Sequence, residues 1–379
     1  MNFSFTEEQG LLRDSLGAYL ADHYSFEQRR AAIRSAEGWR PEVWRAFAED
    51  LGILGATFPE DLGGLGGGAT ETLVIMEELG RALVVEPYLA TVVIAGEFLK
   101  RSGHPGASDL IGKIIAGQAT FAFAYAEPQS RYALNDIAVS ARKGGAGWTL
   151  SGKKAVVIGA PWASHLIVTA RTGGAQRDAG GVSVFLVDPK AAGVVMQAYP
   201  TVDGARAAEV SFENVSLGAD ALIGVEGQGL PLIETVIDEA TAGVCAEACG
   251  VLRRLHEGTL EYTKQRKQFG QPIGQFQVLQ HRMVDMFIAY EQSVSMTYQA
   301  NVRLGGPDAA KAVSAAKVQV GRACRFVGQN AIQLHGGMGM TDEMAIGHYF
   351  KRATMIEAQF GNTDHHLARY ERLSFGKGA

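Results

Sequence analysis

Apolar residues recur at helical spacing through the first third of the chain. Thr6 and Gln9 have capping-box spacing, and Leu11, Leu12, Leu16, Tyr19 and Leu20 follow with a period near 3.6. Pro41 suits a first helical position, with Val43, Trp44, Phe47 and Leu51 on one face behind it. The glycine-rich run from Pro59 to Gly68 reads as a loop. Another helix is predicted from about Thr70 to Leu83, and further helical segments to Gly117. From about Thr120 the period drops to two, with Phe121, Phe123 and Tyr125 alternating with alanine. Short runs at Trp148–Leu150, Ala155–Ile158, His165–Ala170, Val182–Val187, Val194–Ala198 and Glu209–Phe212 predict strands. No stretch between them has room for a crossover helix, so the expected pairing is antiparallel. After Gly224 the pattern is helical again. One helix is predicted over about Leu230–Lys267, one carries Val278, Leu279, Met283, Met286, Phe287 and Tyr290, one covers about Asp308–Leu334, and the last lies around Asp364–Leu373. The expected fold is mainly α with a central β domain. An N-terminal helical domain takes 1–118, a middle antiparallel β-barrel or sandwich 119–223, and a C-terminal four-helix bundle 224–379.

Composition narrows the class. With 379 residues, 47% hydrophobic and 20% charged, the chain has the make-up of an ordinary globular protein of two or three domains. Glycine is in excess: 47 residues, about 12% against a usual value of roughly 7%. The net charge of −5, without a basic stripe, argues against nucleic acid as a partner. The polar, acidic start from Met1 to Gln9 is unlike the basic region of a signal peptide. The apolar stretch Leu73–Leu99 is interrupted by Glu77, Glu78, Arg81, Glu86 and Glu97, so no membrane span is expected there. Cys245, Cys249 and Cys324, an odd set with no CxxC, suit buried thiols in a reducing, cytoplasmic setting.

The common catalytic motifs are missing. There is no strict GxGxxG, no GKS or GKT, no HExxH and no GxSxG. His365 and His366 are adjacent, and neighbours on a helix point about 100° apart, so no metal site is expected. Three segments carry unusual chemistry. Gln265–Gly270, followed by the amide-rich run to Gln277, puts Arg266 beside Phe269 and could hold a diphosphate and a ring system. A solvated helix end with a turn is the plainer reading. Gln333–Gly339 exposes backbone N–H groups at consecutive glycines, or is simply a helix C-cap. Gln359–His366 places a Gly361-Asn362 turn before Thr363, or is an ordinary helix–loop–helix joint.

Taken together, these segments resemble the acyl-CoA dehydrogenase family over essentially the whole chain. The shared marks are Phe58–Gly66 followed by Glu77-Glu78-Leu79-Gly80, Ala126-Glu127-Pro128, Gly152-Lys153-Lys154, Val210–Val215, Arg266–Gly270 and His335–Gly339. The resemblance implies FAD, a CoA thioester substrate, and a homodimer, homotetramer or heterotetramer with a second acyl-CoA dehydrogenase subunit. It also implies an electron-transfer flavoprotein as acceptor. A carboxylate takes the proton beside the thioester carbonyl, and a hydride passes to the flavin. By the same resemblance Arg266, Phe269 and Gln277 hold FAD, Gln333 and Gly337 reach it across the subunit interface, and Thr363 matches an FAD-binding threonine.

The chain departs from the family pattern at the base. Phe360-Gly361-Asn362-Thr363 puts Gly361 where the family carries its glutamate, and the alternative base position on the preceding long helix is Ala240, followed by Thr241. Glu357 and Glu239 are the substitutes nearest in sequence. The family's Thr-Glu-Pro-Gly-Ala-Gly-Ser-Asp run becomes Ala126–Asp136, and its Trp-Ile-Thr flavin contact becomes Val156-Val157-Ile158. The Lys154–Pro161 run, Thr169-Ala170-Arg171 and the Phe360–Leu367 stretch resemble small subunits of two-subunit members such as pimeloyl-CoA dehydrogenase. The expected function is α,β-desaturation of a CoA thioester, with the base on a partner chain. A self-sufficient dehydrogenase with a displaced carboxylate and a flavin-free scaffold subunit are the alternatives.

Overall fold

The computed structural model describes residues 5–376, so the first four residues of the Met1–Gln9 start lie outside it. α1 (Glu7–His23) opens on the predicted capping box: Thr6 Oγ1 accepts from the Gln9 N–H, and the Gln9 side chain accepts from the Thr6 N–H. α2 (Phe26–Arg34), α3 (Pro41–Glu49), α4 (Ala69–Ala82), α5 (Gly96–Ser102) and α6 (Ala107–Ile115) complete the first helical stretch. A π-helical segment, Leu89–Ala95, leads into α5. The strands are β1 (Phe121–Ala124), β2 (Ser140–Gly144), β3 (Gly147–Ile158), β4 (His165–Arg171), β5 (Val182–Val187), β6 (Val194–Pro200), β7 (Arg206–Gly218) and β8 (Leu222–Ile223). α7 (Gly229–Gln265) follows, then a small hairpin of β9 (Lys267–Gln268) and β10 (Gln271–Pro272). α8 (Gln277–Arg303), α9 (Ala309–His335), α10 (Ala345–Ala358) and α11 (Thr363–Phe375) close the chain.

The chain sorts into two compact bodies. One comprises the described parts of Met1–Ala31, Ala69–Val84 and Thr241–Ala379, and the other Ala32–Gly68 with Val85–Ala240. In the first body α4 and α7 pack at backbone distance. A Cβ on Gly80 of α4 would lie 2.1 Å from the Glu247 carbonyl oxygen of α7, and one on Gly250 would lie 2.0 Å from the Glu77 carbonyl oxygen. Only glycine permits that approach, which gives the Glu77–Gly80 mark its physical meaning.

In the second body the sheet order is β6-β7-β3-β2-β4-β5-β8, with β1 beside β4. Two sequence expectations are corrected here. β1 pairs with β4 in parallel, and Ser140 of β2 meets Arg171 of β4 in the same sense. The other pairings of this sheet among named strands are antiparallel. The parallel pair needs no helix, because the β2–β3 hairpin supplies the crossover. Trp148–Leu150 and Ala155–Ile158, expected as separate strands, are one strand. Register shifts against β7 between Leu150 and Gly152 and between Lys154 and Val157 mark bulges that look like turns in the sequence.

Candidate active site

Arg266 leaves the end of α7 with its N–H donating to Tyr262 O (2.8 Å). Its guanidinium is exposed and makes no ion pair among the described residues. The β9–β10 hairpin then turns at Phe269, whose φ of +52° and 92% exposure set an aromatic ring in the open. Gln277 begins α8 immediately beyond, also exposed. Tyr262 fastens this end of α7 to the end of α9: its hydroxyl donates to His335 O (3.3 Å), and the two rings stack at 4.2 Å. That contact brings the Arg266 segment beside Gln333 and the Gly336–Met340 turn. A Cβ on Gly336 or Gly337 would meet nothing within 4 Å, so a ligand can lie against this backbone. An exposed guanidinium, two exposed amides, an open glycine turn and an exposed ring form a donor set suited to a diphosphate and a planar heterocycle. Beside the hairpin lies a cavity of about 520 Å³ lined by His256, Thr263, Lys264, Gly274, Gln280 and Phe287, among others.

Thr363 is elsewhere. A Cβ on Gly321, midway along α9, would touch Thr363 Oγ1 at 2.5 Å. Twelve positions separate Gly321 from Gln333, about 18 Å along a helix. The six residues matched to FAD binding therefore fall into two groups within one chain: Arg266, Phe269, Gln277, Gln333 and Gly337 at one end of α9, and Thr363 at its middle. The Thr363 hydroxyl already donates to Glu357 Oε1 (3.1 Å).

Around Gly361 the structure is closed. Gly361 is buried with φ +122°, and Phe360 before it has φ +58°. A Cβ on Gly361 would stand 2.6 Å from His365 Cδ2 and 2.6 Å from His366 Nε2. Lys317, fully buried on α9, donates to Glu357 O (2.9 Å) and Gly361 O (2.6 Å). Burial lowers the Lys317 pKa below its ordinary value. Asn362 Oδ1 accepts from the His365 N–H (2.9 Å) and caps α11. Nothing at 361 can act as a base.

The substitute carboxylates are engaged as well. Glu357 Oε1 accepts from the Thr363 N–H (3.2 Å) and hydroxyl and faces Arg325 (3.4 Å). Ala240 is fully buried. One residue earlier, Glu239 turns to α5, where Arg101 bridges it to Glu97, and Lys100 pairs with Glu97. Burial and the nearby Glu97 carboxylate push the Glu239 pKa up to about 7.

The strand segments matched to the flavin ring carry a buried ion pair. Lys154 Nζ meets Glu127 Oε1 (2.7 Å), Thr169 Oγ1 (2.9 Å) and Tyr125 O (3.2 Å). Glu127 also accepts from the N–H groups of Ala138 (2.7 Å) and Val139 (3.2 Å). Val156 sits on the β3 bulge with φ +51° and is half exposed. Residues 156–158 are Val, Val and Ile and offer neither hydroxyl nor indole.

Lys317 and His366 are site residues that the motifs do not single out. Lys317 carries a signal, a lysine within the apolar stripe of Val313, Val320 and Cys324. His366 stands beside His365 in sequence, and the two rings stand edge to face at 86°. Among the described residues no cluster could hold a metal ion.

Family models match along the chain in order. The acyl-CoA dehydrogenase N-terminal domain matches residues 6–106, the middle domain 122–215 and the C-terminal domain 227–372. The chain is 30% identical over 370 residues to acyl-CoA dehydrogenase IpdE2 of Mycolicibacterium smegmatis, covering 98% of this chain and 100% of that protein. Among solved structures, the ChsE4-ChsE5 complex from Mycobacterium tuberculosis matches with TM-score 0.90 and 27% identity, covering 100% of both chains. The FAD complex of PigA matches with TM-score 0.91 and 25% identity, again over 100% of both chains.

Proposed function

The chain belongs to the acyl-CoA dehydrogenase family, and on that premise we propose that it is a flavin-binding subunit of an acyl-CoA-oxidising enzyme whose catalytic carboxylate sits on a second chain. The observation that carries this is the closed turn at Gly361, where His365 and His366 occupy the space of any side chain. Ala240 leaves the other family base position without a carboxylate.

FAD supplies the hydride acceptor when bound. Arg266 would neutralise its diphosphate, Phe269 would cover the adenine, and Gln277, Gln333 and the Gly337 backbone would orient it. These groups lie some 18 Å along α9 from Thr363. That separation suits a cofactor shared between subunits, with each chain contributing a different part. This chain offers no proton acceptor at 361, so the α-proton of the thioester goes to the partner's carboxylate. The ChsE4-ChsE5 relative, itself a complex of two different chains, supports such an arrangement.

We assign three consecutive domains, 1–118, 119–223 and 224–379, an electron-transfer flavoprotein as acceptor, and the cytoplasm, where the three buried free thiols suit a reducing compartment. No helix among the described residues is long and apolar enough to cross a membrane.

Purification from the native host tests the proposal. The expected result is a stoichiometric second chain of the same fold bearing a glutamate at one of the two base positions. A flavin-loaded homo-oligomer that desaturates acyl-CoAs by itself would overturn it. A second reading is a self-sufficient enzyme in which Glu239, whose pKa burial and Glu97 raise to about 7, serves as the general base once released from Arg101. Under that reading Glu239→Gln abolishes bleaching of the flavin by substrate, and unchanged bleaching refutes it.

A further inference from the structure

The packing around the Gly361 turn involves a second residue. His366 lies in the first turn of α11, almost wholly buried. Its Nε2–H donates to the Phe360 carbonyl (3.1 Å), and its Nδ1 faces Ser314 Oγ (3.4 Å), which also accepts from Arg369 (3.3 Å). Burial and the nearby Lys317, His365 and Arg369 push its pKa down to about 3, so the ring stays neutral. His366 therefore holds the Phe360 peptide in its left-handed conformation from one side, while Lys317 holds the Gly361 carbonyl from the other. The ring is enclosed and cannot swing away, whereas His365 is only partly buried and can yield.

We propose that Gly361 and His366 form one unit, in which His366 is the positioning residue that keeps position 361 closed to any side chain. The inference deepens the reading that this subunit relies on a partner's base. It means that a carboxylate restored at 361 would meet the His366 ring in addition to the strain of a φ of +122°. Chains of this fold that carry a base at this turn then differ from this one at two positions, 361 and 366.

A double-mutant cycle on the full chain tests it, using Gly361→Ala and His366→Ala with the thermal unfolding midpoint as readout. In the wild-type background His366→Ala is expected to lower the midpoint, because it removes the bond to Phe360 O. In the Gly361→Ala background the same change is expected to cost less or to raise it, because it relieves the 2.6 Å contact with His366 Nε2 while the strain at φ +122° stays in both variants. A merely structural histidine would cost the same in both backgrounds, and that additive result overturns the proposal. If Gly361→Ala alone does not fold, recovery of folded protein in the double variant supports the unit. The cycle needs neither flavin nor substrate, so its outcome is separate from that of the partner-base reading.

Discussion

Lys154 has no exposed surface, and burial lowers its pKa to about 8 against the pull of Glu127. Removing one member of such a pair strands the other charge. Lys154→Met is therefore expected to cost about 3–5 kcal/mol in a denaturant titration. Changing Glu127 to Gln as well should recover part of that loss, because the stranded carboxylate is gone. Glu239 gives a pH-dependent test. The native chain keeps its proton to about pH 7, raised by burial and by Glu97 from an ordinary 4.5. The unfolded chain releases that proton near 4.5, so the stability it contributes is complete below 4.5 and lost as pH rises through 7. Glu97 is also opposed by burial, but Lys100 and Arg101 hold it below its usual range, so it is ionised throughout this window. Glu239→Gln should then shrink the fall in melting temperature between pH 5 and pH 8; an unchanged fall would mean the pair does not titrate there. At this scale the sequence was informative about what is missing, since Gly361 and Ala240 can be read directly. It did not reveal what fills the gap. His366 follows Gly361 by five residues across a turn and a new helix, and only the φ values of Phe360 and Gly361 fold its ring back.

The glycine contacts between α4 and α7 decide how closely two elements can lie. Gly80→Ala forces a methyl against the Glu247 carbonyl. The helices must part, at an expected cost of about 1–3 kcal/mol, and a melting temperature equal to wild type would contradict this contact. Most elements were legible from period alone, including the α1 cap, α3 behind Pro41 and the long α7, α8 and α9. α10 was passed over even though Ile346, Tyr349, Ala353 and Ile356 keep helical spacing. It lies between two glycine-bearing segments that drew attention to loops. The β3 bulges were illegible because Gly152 looks like a turn in sequence, while pairing with β7 continues on either side of the irregularities. The matched FAD residues could be listed from motifs. Their separation into two groups depends on where Tyr262 and Thr363 meet α9, which no local pattern encodes.

As a whole molecule the chain leaves apolar surface on α8 uncovered. Val278, Val284, Phe287 and Ile288 are each roughly half exposed or more, next to the cavity beside the hairpin. Val284, Phe287 and Ile288 fall within about one turn of α8, and an exposed apolar patch of this kind fits an association surface. Val284→Lys should shift the sedimentation profile toward smaller species while the unfolding midpoint changes by little. Flavin content should fall with it if the cofactor is shared between subunits. The partner-base account itself is tested most directly by anaerobic titration of the FAD-loaded chain with a panel of acyl-CoAs, alone and with its co-purifying partner. The account predicts that the flavin absorbance is bleached only when the partner is present. Bleaching of the isolated chain at a comparable rate would contradict it.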